Sequence, residues 1–594
     1  MTTDFRNEMT QRVILFWLMV PAIFVNLSTV QGVQTAAPTR PKPAVQQELQ
    51  NHTATSRKNM VASVHPLATQ AGVDAFANGG NAVDAAIATA LTLGVVDNYN
   101  SGIGGGCFIL IRTGDGEVFA IDGREMAPAA AHKDLYRDAV GPIENPSRTG
   151  ALASGVPGAL MAYSQAVERH GRLDFQSALR AGSVAARDGF PVTKSYAGNL
   201  RAVQTKMSLF PETAKIFFRE SGSNMGQPFK FGETLIQTDL FETYQSIGND
   251  GIDWFYRGKF AQMAEKWMKA NGGIMTAADF SDYKTVSRRP VRSTYRGYDI
   301  VGFPPPSSGG VHVAQILNIL EHFDLKKLYA QDPALMFHVV AEAMKLAFAD
   351  RAHWLGDPDF VDVPLGLIDA AYGAELAKRI DLSTVVTTQH GTPPGADSKF
   401  FERHTTHVAT ADIDGNWVAI TTTVNTTFGA KYVIPGTGVI MNNQMDDFVA
   451  FPGMPNAFGL VGGDNNAVEA RKRPLSSMSP TIVLKDGQPV LTVGAAGGPK
   501  IITEVLWAII NHLDLGMPIG KAIAQPRIHH QWSPTDLLVE SSFDKNILNG
   551  LKDRGHVFRR SSSMGICQGI SFDPTTKTFT GAHDPRTTGK AAGE

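Results

Sequence analysis

In the last third of the chain, two pairs of strand-forming runs each close around an Asp-Gly. Residues 407–411 and 417–424 flank Asp414-Gly415, and residues 481–485 and 490–493 flank Asp486-Gly487. Asp-Gly supplies the positive backbone angles that a two-residue hairpin requires, so both units predict antiparallel strand pairs. A third hairpin is predicted upstream, with residues 108–112 and 118–122 on either side of Gly114-Asp115-Gly116. Helices are predicted around these strands. Residues 66–78 carry helical apolar spacing and stop at Gly79-Gly80, and residues 81–95 are Ala-rich enough to pack close against a sheet. Residues 157–280 read as mainly helical, broken at Gly171, Gly189-Phe190-Pro191 and Gly272-Gly273. Residues 334–354 form a long amphipathic pattern with Phe337, Val340, Ala341, Met344 and Phe348 on its apolar side, and helices recur at 501–513 and 519–523. Central strands with helices on both sides predict an α/β (α+β) fold of two stacked sheets between helical layers.

The chain has 594 residues, beyond one ordinary hydrophobic core, so two lobes or an unusually large domain are expected. Its 43% hydrophobic and 19% charged residues describe a globular protein, and a formal charge of −2 gives no ground for a nucleic-acid partner. Arg6 and Arg12 precede an apolar run at residues 13–25, too short to span a bilayer comfortably. With Val30-Gln31-Gly32 as a cleavage site, residues 1–32 read as a signal peptide of an exported protein, periplasmic or secreted; a retained anchor is the alternative. Residues 33–57, rich in Pro, Thr, Gln and Ala, read as a disordered leader. Cys107 and Cys567, the two cysteines, are expected as buried free thiols. Neither has metal-ligand company, so neither a metal nor a cofactor is expected. Residues 380–401 turn polar and Gly/Pro-rich, which predicts an exposed, mobile segment.

That segment ends just before Thr405-Thr406-His407, at the head of the first hairpin. An internal threonine hydroxyl is a poor nucleophile. A threonine at a chain's N-terminus has beside it an α-amine with a pKa of about 7.7–8.0, suited to act as its general base. The antiparallel return also brings residues 423–425 back beside Thr405. Four further words lie downstream or far upstream: Asn443 to Phe448, Pro474 to Pro480, Gly494-Ala495-Ala496-Gly497-Gly498, and Asp122-Gly123-Arg124-Glu125-Met126-Ala127-Pro128. With Gly104-Gly105-Gly106, Pro304-Pro305-Pro306-Ser307-Ser308-Gly309-Gly310 and Ala341-Glu342-Ala343-Met344-Lys345, these resemble the γ-glutamyltranspeptidases (glutathione hydrolases) from about residue 59 to 586. Their order and spacing together are highly specific.

The resemblance implies an αββα sandwich of the N-terminal-nucleophile hydrolase type. It also implies self-cleavage between His404 and Thr405, giving a large chain (58–404) and a small chain (405–594) that stay together as a heterodimer. Thr405 would attack the carbonyl of His404 in the precursor and the γ-carbonyl of a glutamyl donor such as glutathione in the mature enzyme. Water, an amino acid or a peptide would then resolve the acyl-enzyme. By the same resemblance, Thr423 is a hydroxyl aimed at Thr405, and Asn425 contacts the donor from the same strand face. Gly497 and Gly498 present backbone N–H groups to the oxyanion. Arg124, Ser476 and Ser477 take the donor's α-carboxylate, and Gln444 and Asp447 take its α-ammonium. Considered alone, Arg124 could instead be a surface pair with Glu125, Asp446-Asp447 a solvated turn, and Gly497-Gly498 a plain turn before a helix.

In bacterial members a lid covers the donor, commonly with a tyrosine at its gate. This chain has Phe458 there, which can cover the pocket but cannot donate a phenolic hydrogen bond. Two other readings stand beside the transpeptidase: an acylase of the same superfamily acting on glutaryl or poly-γ-glutamate substrates, and an uncleaved binding protein. Asp447 argues against a glutaryl donor, which has no ammonium to neutralise.

Overall fold

The computed structural model describes residues 52–139, 143–219, 226–394, 406–449, 456–460, 463–562 and 564–594. Thr405, His404 and the expected export segment, residues 1–32, lie outside the described residues. Among the described residues, no helix is long and apolar enough to cross a membrane.

Two seven-stranded antiparallel sheets organise the molecule. In the first, the order is Lys590–Ala592, Asn59–Ser63, Thr406–Asp412, Trp417–Thr423, Gly106–Arg112, Val118–Gly123 and Val286–Arg288. In the second it is Thr53–Ser56, Thr578–His583, Ile566–Asp573, Gln488–Ala496, Thr481–Lys485, Tyr298–Gly302 and Val291–Tyr295. Both sheets mix strands from before and after residue 405.

Alternation along the strands builds the layers. Met60, Ala62, Phe108 and Leu110 of the first sheet meet Val301, Phe303, Ile482 and Ile570 of the second in a buried seam. There Phe108 stacks on Phe303 with ring centroids 4.2 Å apart. The intervening residues Val61, Ile109, Ile111, Val408 and Ile420 face the other way, into a core shared with the helices Pro66–Ala77, Ala82–Val96 and Ala159–His170. On the far side, Ile300, Val483, Leu491 and Val493 pack on Gly309–Leu320, Pro333–Trp354 and Lys500–Leu513. The result is a four-layer αββα sandwich. Cys107 and Cys567 are both buried and free, one in each sheet.

The helices start where the local chemistry allows. Asn81 and Asp84 form a reciprocal capping box at the start of Ala82–Val96, all of whose residues are buried. Pro333 opens the long helix behind Asp332, whose side chain accepts from Leu335 N. Of the predicted hairpins, the 486–487 turn holds as a two-residue turn, with φ of 51° and 75°. The 414–415 turn is one residue longer: Asp412 N donates to Asn416 O at 3.0 Å, and Gly415 takes φ 86° at the loop's end.

Two expectations are corrected. The leader does not run to Arg57 as an unstructured segment, because Thr53–Ser56 pairs with Thr578–His583. Over residues 380–394, a polar composition does not mean a loose chain. Lys345 and His338 bond the carbonyls of Val386 and Asp381, and Trp354 Nε1 donates to Gly391 O at 3.1 Å. Residue by residue, the long helix straps the segment along its surface.

Candidate active site

Val118–Gly123, next to last in the first sheet's order, pairs with Gly106–Arg112, and the chain then turns Arg124 into the interior. Arg124 is fully buried, which rules out the surface pair with Glu125. Its Nη2 donates to Asp447 Oδ2 at 2.6 Å and to Leu475 O at 2.8 Å, its Nε donates to Pro474 O at 2.8 Å, and Nη1 lies 3.4 Å from Glu125 Oε2. Asp446 and Asp447 are no solvated turn either: both are buried in the short 3-10 turn Gln444–Asp447. Arg124 thus holds two segments at once, the 3-10 turn and the stretch leading into Ser476-Ser477. Ser476 Oγ accepts from Met478 N at 3.1 Å, and Ser477 Oγ accepts from Arg351 Nη2 at 3.2 Å. Four of the expected substrate-binding residues therefore meet in one buried cluster. Of the remaining two, Gln444 is also buried, and neither atom of its amide has a partner among the described residues.

A second group lies around a cavity of about 570 Å³ lined by Asn425, Phe458, Gly497, Gly498, Lys500 and Arg559 among others. A larger cleft of about 770 Å³ between the helices Pro66–Ala77 and Phe175–Asp188 holds none of the expected residues. Gly497 and Gly498 end the strand Gln488–Ala496 with φ of 147° and 74° and lead into the helix Lys500–Leu513. They are therefore a turn before a helix and also the cavity wall. Left-handed angles favour glycine here. A Cβ on Gly497 would come within 2.9 Å of Gly565 Cα.

Asn425 does not share a strand face with Thr423. The strand ends at Thr423, and Asn425 takes φ 77° beyond it. Thr423 Oγ1 accepts from Asn425 N at 2.7 Å, and Asn425 Nδ2 donates to Asn443 O at 2.8 Å, which leaves its buried Oδ1 without a partner among the described residues. Thr406 pairs with Thr422 and Thr423 with Gly106. Phe458 reaches the cavity on a short segment tied down by Gln531 Nε2, which donates to Gly459 O at 3.3 Å.

Burial dominates the electrostatics. It pushes the Glu125 carboxyl up to about 8, and the Asp97 carboxyl, 3.5 Å from Thr406 Oγ1, up to about 7. His407, for all its place in the Thr-Thr-His word, is a core residue. Burial lowers it to about 3, and its ring packs where a side chain on Gly494 would have to go.

Several participants escaped sequence reasoning: Asn443, which steadies Asn425; Arg351, which reaches Ser477; and Glu504, buried beneath Gly497. Only Glu504 left a signal, an acid standing among Ile501, Ile502, Val505 and Leu506 on a buried helix. Among the described residues, His338, Glu342 and His556 form a group with metal-ligand chemistry. Lys345 Nζ, 2.7 Å from Glu342 Oε1, already supplies the counter-charge there.

Comparison with known proteins identifies the family. The family model for gamma-glutamyltranspeptidase matches residues 68–594. The glutathione hydrolase proenzyme of Escherichia coli (strain K12) is 43% identical over 558 residues, covering 93% of this chain and 95% of the relative. The acylase ACY 1 proenzyme of Pseudomonas sp. (strain V22) is 36% identical, over 89% of this chain and 92% of its own. Among solved structures, cephalosporin acylase from Bacillus halodurans superposes with a TM-score of 0.82 at 29% identity, covering 95% of this chain and 99% of that one. With the fold, the buried Arg124–Asp447 cluster and a family match over most of its length, the chain is an enzyme and belongs to the gamma-glutamyltranspeptidase family.

Proposed function

We propose that this enzyme is an exported, self-processing γ-glutamyltransferase and glutathione hydrolase that works through a threonyl acyl-enzyme on Thr405. The observation that carries the reading is the buried 2.6 Å pair of Arg124 and Asp447. An α-amino acid presents a carboxylate and an ammonium a few ångströms apart, and a guanidinium beside a carboxylate is its complement in charge. The donor's α-carboxylate turns to Arg124 with Ser476 and Ser477, and its α-ammonium to Asp447 and Gln444. The γ-acyl carbon is left to project toward the Gly497-Gly498 turn.

The described strand begins at Thr406, paired with Thr422, and this supports Thr423 and Asn425 as neighbours of the nucleophile. The Thr405 hydroxyl adds to the γ-carbonyl while the α-amine takes its proton. The N–H groups of the glycine turn stabilise the oxyanion, and the leaving amine departs with the proton. Water or an amine then attacks the ester in the same way. In the precursor, the same hydroxyl attacks the carbonyl of His404, and hydrolysis of the resulting ester frees the small chain, 405–594. The names of the E. coli relative and of the other glutathione hydrolase proenzymes support glutathione-type donors and processing.

The superfamily acylases give a second reading, favoured by the cephalosporin acylase likeness. Asp447 weighs against it, since a donor without an ammonium leaves that buried carboxylate without its substrate partner. The test is electrophoresis with N-terminal sequencing of the small chain, and turnover of γ-glutamyl anilide with and without a dipeptide acceptor. A small chain beginning at Thr405, rapid turnover and an unprocessed, inactive Thr405→Ala protein are expected. A Thr405→Ala protein still cut before residue 405 would overturn the assignment.

A further inference from the structure

The Glu504 carboxyl lies directly under the glycine turn. A Cβ on Gly497 would sit 3.3 Å from Glu504 Oε1, and one on Gly565 would sit 1.9 Å from the same atom. Glu504 is 2% exposed, and neither of its oxygens has a hydrogen-bond partner among the described residues. A buried, unsatisfied acid needs a reason to persist.

The charges around it are already matched. Arg527 Nη1 is 3.6 Å from Glu504 Oε2, but the Nη2 of the same guanidinium holds Asp584 at 2.6 Å. Arg586 pairs with Asp584 at 3.0 Å and with Glu540 at 2.6 Å. The two guanidiniums thus make their short contacts to Asp584 and Glu540, and Glu504 is left with the long 3.6 Å approach to Arg527. The remaining groups that face it are Lys500, one helical turn earlier, whose amine is lowered by burial, and the buried Cys567 thiol beside Asp584 and Arg527. Glu504 accepts no hydrogen bond from any of these groups, and burial, the strongest influence on it, favours the acid form.

We propose that Glu504 is a positioning residue for acyl transfer: as the neutral acid it forms the floor of the Gly497 turn, and its ionisation sets the alkaline limit of turnover. The inference rests on the reading of Gly497-Gly498 as the oxyanion site. A negative charge packed against the Gly497 turn opposes the negative charge that develops at that turn in the transition state, so the turn stabilises it best while Glu504 keeps its proton. Burial raises the carboxyl well above its ordinary range, the direction that the acid form requires.

The test compares kcat against pH for wild type and Glu504→Gln, both as processed two-chain enzymes turning over γ-glutamyl anilide. The glutamine keeps the shape but cannot ionise. At neutral pH its kcat is expected within about fivefold of wild type, and on the alkaline side wild type should fall away from it by at least about threefold. Deprotonation of the donor's own ammonium affects both proteins equally and cancels in the ratio. A pH-independent ratio, or a variant inactive at neutral pH although processed, overturns the inference. Wild type that never turns over the anilide overturns the acyl-transfer reading instead, and this inference with it. Glu504→Thr is carried in parallel as a smaller neutral side chain. If neither variant yields folded, processed enzyme, the carboxyl serves folding and the proposal fails.

Discussion

Removing Arg124 should damage the fold as well as donor binding. Arg124 and Asp447 are both fully buried, and truncating the guanidinium strands a carboxylate 2.6 Å from where its partner stood. Breaking a buried pair in this way typically costs about 3–5 kcal/mol. The carbonyls of Pro474 and Leu475 lose their donors as well, so Arg124→Ala belongs at the upper end of that range. Asp447→Asn is milder. An amide oxygen still accepts from Nη2 and Arg124 keeps two carbonyls, so about 1–3 kcal/mol is expected. The double variant should be more stable than the sum of the two predicts, by about 1–3 kcal/mol, because the second change removes the charge that the first left unpaired. Urea unfolding followed by near-UV circular dichroism measures all four corners. Carrying them in a Thr405→Ala background keeps the chain covalently whole and the unfolding unimolecular. A loss below about 1 kcal/mol for Arg124→Ala, or additivity within about 0.5 kcal/mol, would refute the reasoning.

Wild type should prefer γ-glutamyl over glutaryl anilide by about ten- to a hundredfold in kcat/KM, and Asp447→Asn should narrow that ratio. An unchanged ratio means that Asp447 does not read the ammonium. Gly497→Ala forces a Cβ against Gly565 and should lower kcat by about 10²–10³ with much less effect on KM, with intact processing and melting temperature as controls. Retained kcat removes the turn from the mechanism. Glu125 keeps its proton in the folded protein up to about pH 8, whereas in the unfolded chain it loses it near about 4.3. Unfolding therefore releases a proton between those values. The associated stability is present below the lower value and lost as pH rises through the upper, at up to about 1.4 kcal/mol per pH unit. Glu125→Gln should grow steadily more stable than wild type from pH 5 to 8, and parallel curves would exclude the effect.

Local signals carried much of the fold into the sequence. Asp486-Gly487 sets its turn from within two residues, and Asn81 with Asp84 caps a helix from within four, so both could be read directly. The site was legible as residue types, through words such as Asn443 to Phe448 and Pro474 to Pro480. What could not be read was who meets whom. Arg124 and Asp447 are separated by 323 positions, and only the folded chain brings them together. Asn425 was misplaced because strand alternation was extended past the residue where the strand stops. The strap over residues 380–394 was misread because a polar composition reports hydrogen-bonding capacity but not the identity of the partner.

The interleaved strand order fixes a sequence of events. Thr406–Asp412 lies between Asn59–Ser63 and Trp417–Thr423, and Gln488–Ala496 with Thr481–Lys485 shares a sheet with Tyr298–Gly302. A chain cut before residue 405 would still have each part threaded through the other, and separating them would mean dismantling both sheets. One peptide bond is thus needed to assemble the enzyme and can be spared afterwards. The intact precursor brings its strands together as one molecule, while two separately made chains would have to form five strand pairings by collision. Separate expression of the two parts should therefore recover far less enzyme than the precursor does, although a pair cut after folding should hold together without the bond.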